Sequence, residues 1–449
     1  MGRRTKIQRK LAGCTAAAVG AVVLVAALAG LLFGATILDG PARRMMERAY
    51  SRAHPGSNLR IGSLEYAADG NRLFARSITL QSPNTVLEIE GLTLTGLGWV
   101  NLLRIPVAPE DLLAGADLDA TRVAVSFNRS RYGIACERLR VTARDSVLVA
   151  EGFELRTLAG DDDYFAARPF RKTRYLLTMP EFRVLGLQYD EMLQGRSYRA
   201  RSVRLSRPVF DAYVNRDKPS NPEHGPRLMV HEKLAAMRQP LQVDSIAVDG
   251  GMLSYRERVL AGDEPGVLTF NDIALTVEGL ANRAADGDTV RLQAQCALMD
   301  AGPLKFRMSM PVASEEFSLR YAGSLGAMDA TRLNAYMDES VRVRLKSCDV
   351  KKVTFDIHVD DGRATGHVTA SYRHLEIAQL DAQSGHSGGF KNSIVSFLAN
   401  VFKIRSDNAP DDSGRMKTGK VEYTREASDN FYHYIWRALK SGIVDIVCY

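Results

Sequence analysis

The chain is predicted to be mainly β, an antiparallel sheet following a single N-terminal membrane helix. Two observations predict the sheet. Apolar residues alternate with polar ones, at a period of two, from about residue 55 to residue 380. The stretch Val353, Phe355, Ile357 and Val359, interleaved with Thr354, Asp356, His358 and Asp360, runs into Asp361-Gly362, a two-residue hairpin turn. A third observation predicts the helix: Leu11 to Leu38 contains no Lys, Arg, Asp or Glu.

The elements follow in order. Residues 1–10 form a basic tail with Arg3, Arg4, Lys6, Arg9 and Lys10. At roughly 1.5 Å per helical residue, residues 11–38 can cross a hydrocarbon core of about 30 Å. The preceding charges place the N-terminus in the cytoplasm. Arg43, Arg44 and Arg48 follow the run, but they are fewer and stand behind Asp39. The apolar core of a cleaved signal peptide is about 7–15 residues, shorter than this run, so the segment reads as an uncleaved anchor. Leu11-Ala12-Gly13-Cys14 imitates a lipobox but lacks an apolar segment ahead of Cys14. Gly30 and Gly34 make one GxxxG spacing, common by chance in so Ala- and Gly-rich a segment. Residues 39–54 read as a short juxtamembrane helix, with Asp39 as cap, Pro41 in its first turn and Pro55-Gly56 as its end.

Residues 55–380 form the β-rich body. Across the Asp361-Gly362 turn, Val359 pairs with Ala364, Ile357 with Gly366, Phe355 with Val368 and Val353 with Ala370, so one face is apolar and the other wet. Gly70 to Pro83 aligns without gaps on Gly195 to Pro208, and Val243 to Gly250 is a looser copy. Each describes a strand, a break at Pro or Gly, and a second strand, which suits repeated hairpins in an elongated sheet. Asn215 to Arg227, rich in Pro, Asn and charge, reads as a loop, and Met229 to Met237 as one short helix. Residues 381–449 form an α/β C-terminal region. Its helices are Phe390 to Phe402 and Asn430 to Lys440, the latter with Phe431, Ile435 and Leu439 on one face, Asp429 as cap and Gly442 as stop. A strand near Lys420 to Thr424 separates them.

Composition excludes several classes. With 25% charged and 45% hydrophobic residues over 449 positions, the chain is not disordered. The net charge of +7 is modest, and no compact Lys/Arg run interleaved with aromatics points to nucleic acid. Cys14, Cys136, Cys296, Cys348 and Cys448 are scattered without CxxC or zinc spacing, and read as free thiols, although one pair would bridge in an oxidising compartment if the fold brought it together. His358, His367, His374 and His386 crowd one region, with the first two on one wet strand face, but no carboxylate or cysteine completes a metal-binding spacing. Asp161-Asp162-Asp163 lacks the glycine and spaced oxygens of a calcium loop and reads as a solvated turn. Gly96-Leu97-Gly98 and Gly385 to Gly389 lack a phosphate-loop context, and HExxH and P-loop motifs are missing. No catalytic, cofactor or metal residue is assigned, and no enzymatic activity is expected. Trp436 with Phe431, Tyr432 and Tyr434 makes the last helix aromatic. It suits either a cap on the sheet or an interfacial, partner-binding helix.

The opening membrane helix, Ile61-Gly62-Ser63-Leu64-Glu65-Tyr66 and Ala75 to Leu80 resemble the start of AsmA-like proteins. Gly323 to Asn334 and Gly366 to Ile377 resemble their C-terminal region. The resemblance spans most of the chain on diffuse strand patterns. It implies a Gram-negative inner-membrane protein with a periplasmic body, a curled groove-like sheet related to bridge-like lipid-transfer proteins, and a part in phospholipid movement and outer-membrane homeostasis. The expected partner is then membrane phospholipid, with envelope proteins as further partners. A sheet with one apolar face either closes on a second layer or offers that face to acyl chains, and both are open at this level. The alternative function, from another class, is a scaffold or assembly factor for outer-membrane components.

Overall fold

The computed structural model describes residues 43–448, apart from 97–114, 381–403 and several shorter stretches. The segment expected to span the membrane at 11–38, the helix expected at Phe390 to Phe402, His386, Cys14, Gly30 and Gly34 lie outside the described residues. Among the described residues no helix is long and apolar enough to cross a membrane.

Eighteen strands join one mixed sheet, and the chain clusters into two compact units. The first unit is Met1–Tyr164, Leu176–Pro208 and Ala236–Ala247; the second is Phe165–Tyr175, Val209–Ala235 and Val248–Tyr449. In chain order the first eight strands are β1 (Asn58–Ala67), β2 (Arg72–Ser82), β3 (Thr85–Thr95), β4 (Asp117–Phe127), β5 (Tyr132–Thr142), β6 (Val147–Thr157), β7 (Thr173–Leu185) and β8 (Tyr198–Ser206). They pair antiparallel in sequence. The rest are β9 (Val209–Asn215), β10 (Leu241–Arg258), β11 (Gly266–Ala281), β12 (Thr289–Leu298), β13 (Gly302–Pro311), β14 (Leu319–Leu325), β15 (Met328–Asp329), β16 (Val343–Asp360), β17 (Arg363–Gln379) and β18 (Thr418–Thr424). Among the described residues they are accompanied by α1 (Asp161–Ala166), α2 (Tyr189–Leu193), α3 (Val230–Ala235), α4 (Asn334–Ser340) and α5 (Phe431–Val447).

In the first unit the apolar face changes parity along each strand. Leu73 and Ala75 are buried in β2, then Ile78 and Leu80; in β3 Leu87 and Ile89, then Leu92 and Leu94; in β4 Leu118 and Ala120, then Val125. Two residues with no apolar side chain intervene each time: Arg76-Ser77, Glu90-Gly91 and Thr121-Arg122. Pairing skips Ser77 against Glu90, and Glu90 against Arg122, so the irregularities align across neighbouring strands. Ser77 and Arg122 take φ values of 52° and 48°, a left-handed conformation that reverses the alternation of side chains without shifting the register, so the core residues stay on one face. The Arg122 guanidinium pairs with the Glu90 carboxylate on the exposed side of this line. Of residues 39–54, Arg43, Arg44, Glu47, Arg48, Tyr50 and Ser51 are helical. Tyr50 is buried in the core, and the Glu47 carboxylate accepts a hydrogen bond from the Ile61 N–H at 3.0 Å.

The second unit contains β11 to β18, with β11, β12, β13, β14, β16, β17 and β18 paired antiparallel in that order. The β16–β17 register is the expected one, Val359 with Ala364 through Val353 with Ala370. Asp361 and Gly362 take φ values of 42° and 75°, as a two-residue turn of this kind requires. The wholly antiparallel sheet is corrected at β9 and β10, which run parallel, Val209 opposite Met252. The connection from Arg216 to Pro240, with α3 inside it, is long enough for the crossover that parallel strands need.

Three local expectations are also corrected. Val243 to Tyr255 is not a strand, break and strand but lies within the continuous β10, because Gly250 at φ 65° passes through the strand without ending it. The three aspartates at 161–163, read as a solvated turn, form the first turn of α1, with Asp162 and Asp163 exposed, where carboxylates suit the positive end of the helix dipole. The α5 cap is Asn430, whose Oδ1 accepts from the His433 N–H at 2.9 Å; Asp429 instead pairs with Arg437 at 3.0 Å and accepts from Tyr423 at 2.7 Å. Nor does Gly442 stop the helix, which continues to Val447.

Candidate functional site

The second unit presents one apolar sheet face under two different conditions. Registers place Val277, Leu292 and Met308 in one row across β11 to β13, and Leu275, Ala294 and Phe306 in the next. Both rows continue through β14: Met308 faces Tyr321 and Phe306 faces Gly323, and these face Ile357 and Phe355 of β16. On β16 to β18 the face is closed: Ile357, Val359, Val368 and Val421 are fully buried. Helix α5 closes it with Tyr434, Ala438, Gly442 and Ile446, a stripe at intervals of four. The Tyr434 hydroxyl donates to the Gly362 carbonyl at 3.0 Å, its ring meets Phe317 edge-on at 4.9 Å, and Tyr321 donates to the Ile435 carbonyl at 3.2 Å.

Further along, the face is not closed. Leu275, Val277, Leu292, Ala294 and Leu304 are only half-buried and belong to neither hydrophobic core. Their neighbours on the opposite face, such as Arg291, Gln293, Lys305 and Arg307, are exposed. α4 packs at the Gly266 end of β11, where Ser340 and Tyr336 crowd the glycine. At the far end of β12 and β13 the face is covered again by α3, whose His231, Leu234 and Ala235 line a small cavity with Val290, Met310 and Pro311, so the half-buried rows lie between the two covered ends.

Beside α4 is a buried polar network that the sequence reading missed. Glu257, on β10, has a side chain only 2% exposed and pairs with Arg216 at 2.5 Å. It accepts from the Tyr255 hydroxyl at 2.7 Å and the Tyr336 hydroxyl at 3.2 Å. Burial, followed by the Glu257 charge, raises the pKa of both phenols. Nearby, Asp211 pairs with Arg256 at 2.8 Å and Arg174 at 3.3 Å, and both guanidinium groups lie over the Tyr213 ring. These residues come from segments up to 162 positions apart (Arg174 to Tyr336), so no local motif announces them.

The sequence-level candidates do not converge. His358 and His367 are exposed on their strand face, and the His374 ring meets Asp349 at 2.9 Å. Among the described residues no group of His, Cys, Asp and Glu could hold a metal ion. Cys136, Cys296, Cys348 and Cys448 are free thiols, and burial pushes the Cys348 thiol up to about 11.

His433 carries a pH dependence. Burial, then the charges of Arg216, Arg227 and Arg437, lower its pKa to about 4, against a smaller opposing effect of Asp429. Below its ordinary pKa of 6.5 the unfolded chain binds a proton that the folded chain refuses. The stability held by neutral His433 is therefore complete above pH 6.5 and lost as pH falls towards 4, on the order of 2–3 kcal/mol. Urea midpoints at pH 7 and pH 4.5 should differ by less in His433→Gln than in the wild type; an unchanged difference would assign the effect elsewhere.

Comparison with protein-family models gives no match, and comparison with curated proteins gives none.

Proposed function

We propose that this is a non-enzymatic, AsmA-like protein, anchored in the bacterial inner membrane with its body in the periplasm, which binds or moves lipid along an apolar β-face and so contributes to outer-membrane lipid homeostasis. One observation supports it above the rest. The apolar face buried beneath α5 continues on β11, β12 and β13 as half-buried Leu, Val and Ala side chains outside either core. An acyl chain laid there gains about 0.8 kcal/mol for each methylene removed from water and needs no specific polar contact. The anchor, the cellular side and the family rest on the residues described under the sequence analysis.

The test is mass spectrometry of lipids that co-purify with the full-length protein in a mild detergent. Wild type is expected to retain phospholipid in reproducible ratio, and Leu292→Asp with Ala294→Asp to retain several-fold less. Because both positions are half-exposed, their cost in stability should stay below that of a carboxylate at Ile357. Wild-type protein that is reproducibly free of lipid overturns the proposal.

A further inference from the structure

Resting on the lipid reading above, we infer that a basic pocket beside the start of α5 binds the phosphate group of an anionic phospholipid, formed by Arg171, Arg216 and Arg227 with His433.

The four residues come from separate segments of the second unit. Arg171 precedes β7, Arg216 follows β9, Arg227 precedes α3, and His433 lies in the first turn of α5. Backbone contacts fix the loops that carry them. The Arg171 N–H donates to the Pro219 carbonyl at 2.9 Å, and its Nη2 donates to the Arg216 carbonyl at 3.2 Å. The Arg227 N–H donates to the Ala427 carbonyl at 3.1 Å, while its own carbonyl accepts from Arg425 at 2.9 Å.

The charges in this pocket are unbalanced. Arg216 is committed to Glu257. Arg171 and Arg227 have no carboxylate at ion-pair distance among the described residues, and the buried Nε of Arg171 has no acceptor there. Burial and the positive charges of Arg216 and Arg227 lower the Arg171 pKa, against an opposing effect of Glu257. The same two arginines act on His433. Holding guanidinium groups together without enough carboxylates costs free energy that a bound anion relieves. Phosphate suits the role, because its oxygens can accept paired N–H bonds from planar guanidinium forks.

The surroundings suit the rest of an amphiphile. Tyr432 is 80% exposed and Trp436, one turn further along the same face of α5, is 53% exposed. Tyr175, on β7, stacks on Phe210 at 5.8 Å with planes 19° apart. Aromatic side chains with polar tips fit the boundary between a head group and acyl chains.

The experiment is calorimetric titration of the full-length protein, in a nonionic detergent, with three probes: dioctanoyl phosphatidylglycerol, dioctanoylglycerol and inorganic phosphate. Wild type should bind the phosphatidylglycerol at least tenfold more tightly than dioctanoylglycerol. Arg171→Gln with Arg227→Gln should bring that ratio near one while leaving dioctanoylglycerol binding unchanged. Arg227→Gln alone, at an exposed side chain, should lose part of the preference even if the double variant folds poorly. Equal wild-type affinity for the two lipids overturns the phosphate pocket and leaves the lipid reading standing. Binding of inorganic phosphate with no binding of either lipid overturns the lipid assignment and the lipid reading together, leaving a site for free phosphate. No binding of any probe overturns both.

Discussion

Gly419→Val is expected to unseat α5 and lower stability by about 3 kcal/mol. The reason is a glycine-on-glycine crossing between β18 and the helix. A Cβ on Gly419 would lie 1.9 Å from the Gly442 carbonyl oxygen and 2.8 Å from its carbon. A Cβ on Gly442 would lie 2.6 Å from a Val368 methyl and 2.8 Å from a Val421 methyl, both on fully buried residues. The obstacle at Gly419 is backbone, which cannot rotate aside as a side chain can, so the helix must lift away from the sheet. Lifting it exposes Tyr434, Ala438 and Ile446, and breaks the Tyr434 bond to Gly362 and the Tyr321 bond to Ile435. Urea denaturation should show the loss, with the Trp436 emission changing before the main transition. Gly160→Ala is the control, since its added methyl meets nothing within 4 Å. A Gly419→Val midpoint within 1 kcal/mol of wild type would show that the crossing is not needed for docking.

This crossing also explains how far the sequence could be read. The Asp361-Gly362 hairpin was legible to the residue, because a period-two pattern and a two-residue turn together fix register. The parity change in β2, β3 and β4 was missed, because the residue pairs that carry it look like ordinary exposed positions until the strands are laid side by side. The α5 face could not be assigned from its own periodicity. Phe431, Ile435 and Leu439 form as good a stripe as Tyr434, Ala438, Gly442 and Ile446, and the choice falls to the glycine on β18. Parallel β9 and β10 were hidden because parallel pairing leaves no turn between the partners. The arginine and glutamate cluster was hidden for a similar reason: its members are joined by the fold, not by spacing. An open apolar face differs from a closed one only in what lies over it, and the strand sequence is the same in both.

Glu257→Gln should cost about 3 kcal/mol or more, because it removes the charge and leaves Arg216 in place. The Arg216 side chain is only 10% exposed, so water cannot replace the lost carboxylate. The amide oxygen of Gln can still accept from Tyr255 and Tyr336, so the hydrogen bonds of the network are largely kept and the change isolates charge from packing. Arg216→Met in the same background should recover much of the loss. A double-mutant cycle then gives a coupling energy well above the roughly 0.5 kcal/mol expected of independent sites. If Glu257→Gln costs the same whether residue 216 is Arg or Met, the ion pair is not the source of the effect. The variant also bears on the phosphate pocket, since Glu257 is the carboxylate that offsets the repulsion felt by Arg171. Without it, Arg171, Arg216 and Arg227 face one another uncompensated, and a bound anion takes over the missing role. Inorganic phosphate or a short-chain anionic phospholipid should therefore stabilise Glu257→Gln more than wild type at equal concentration, in proportion to the tighter binding. Equal stabilisation of the two proteins would place any phosphate they bind outside the reach of Glu257.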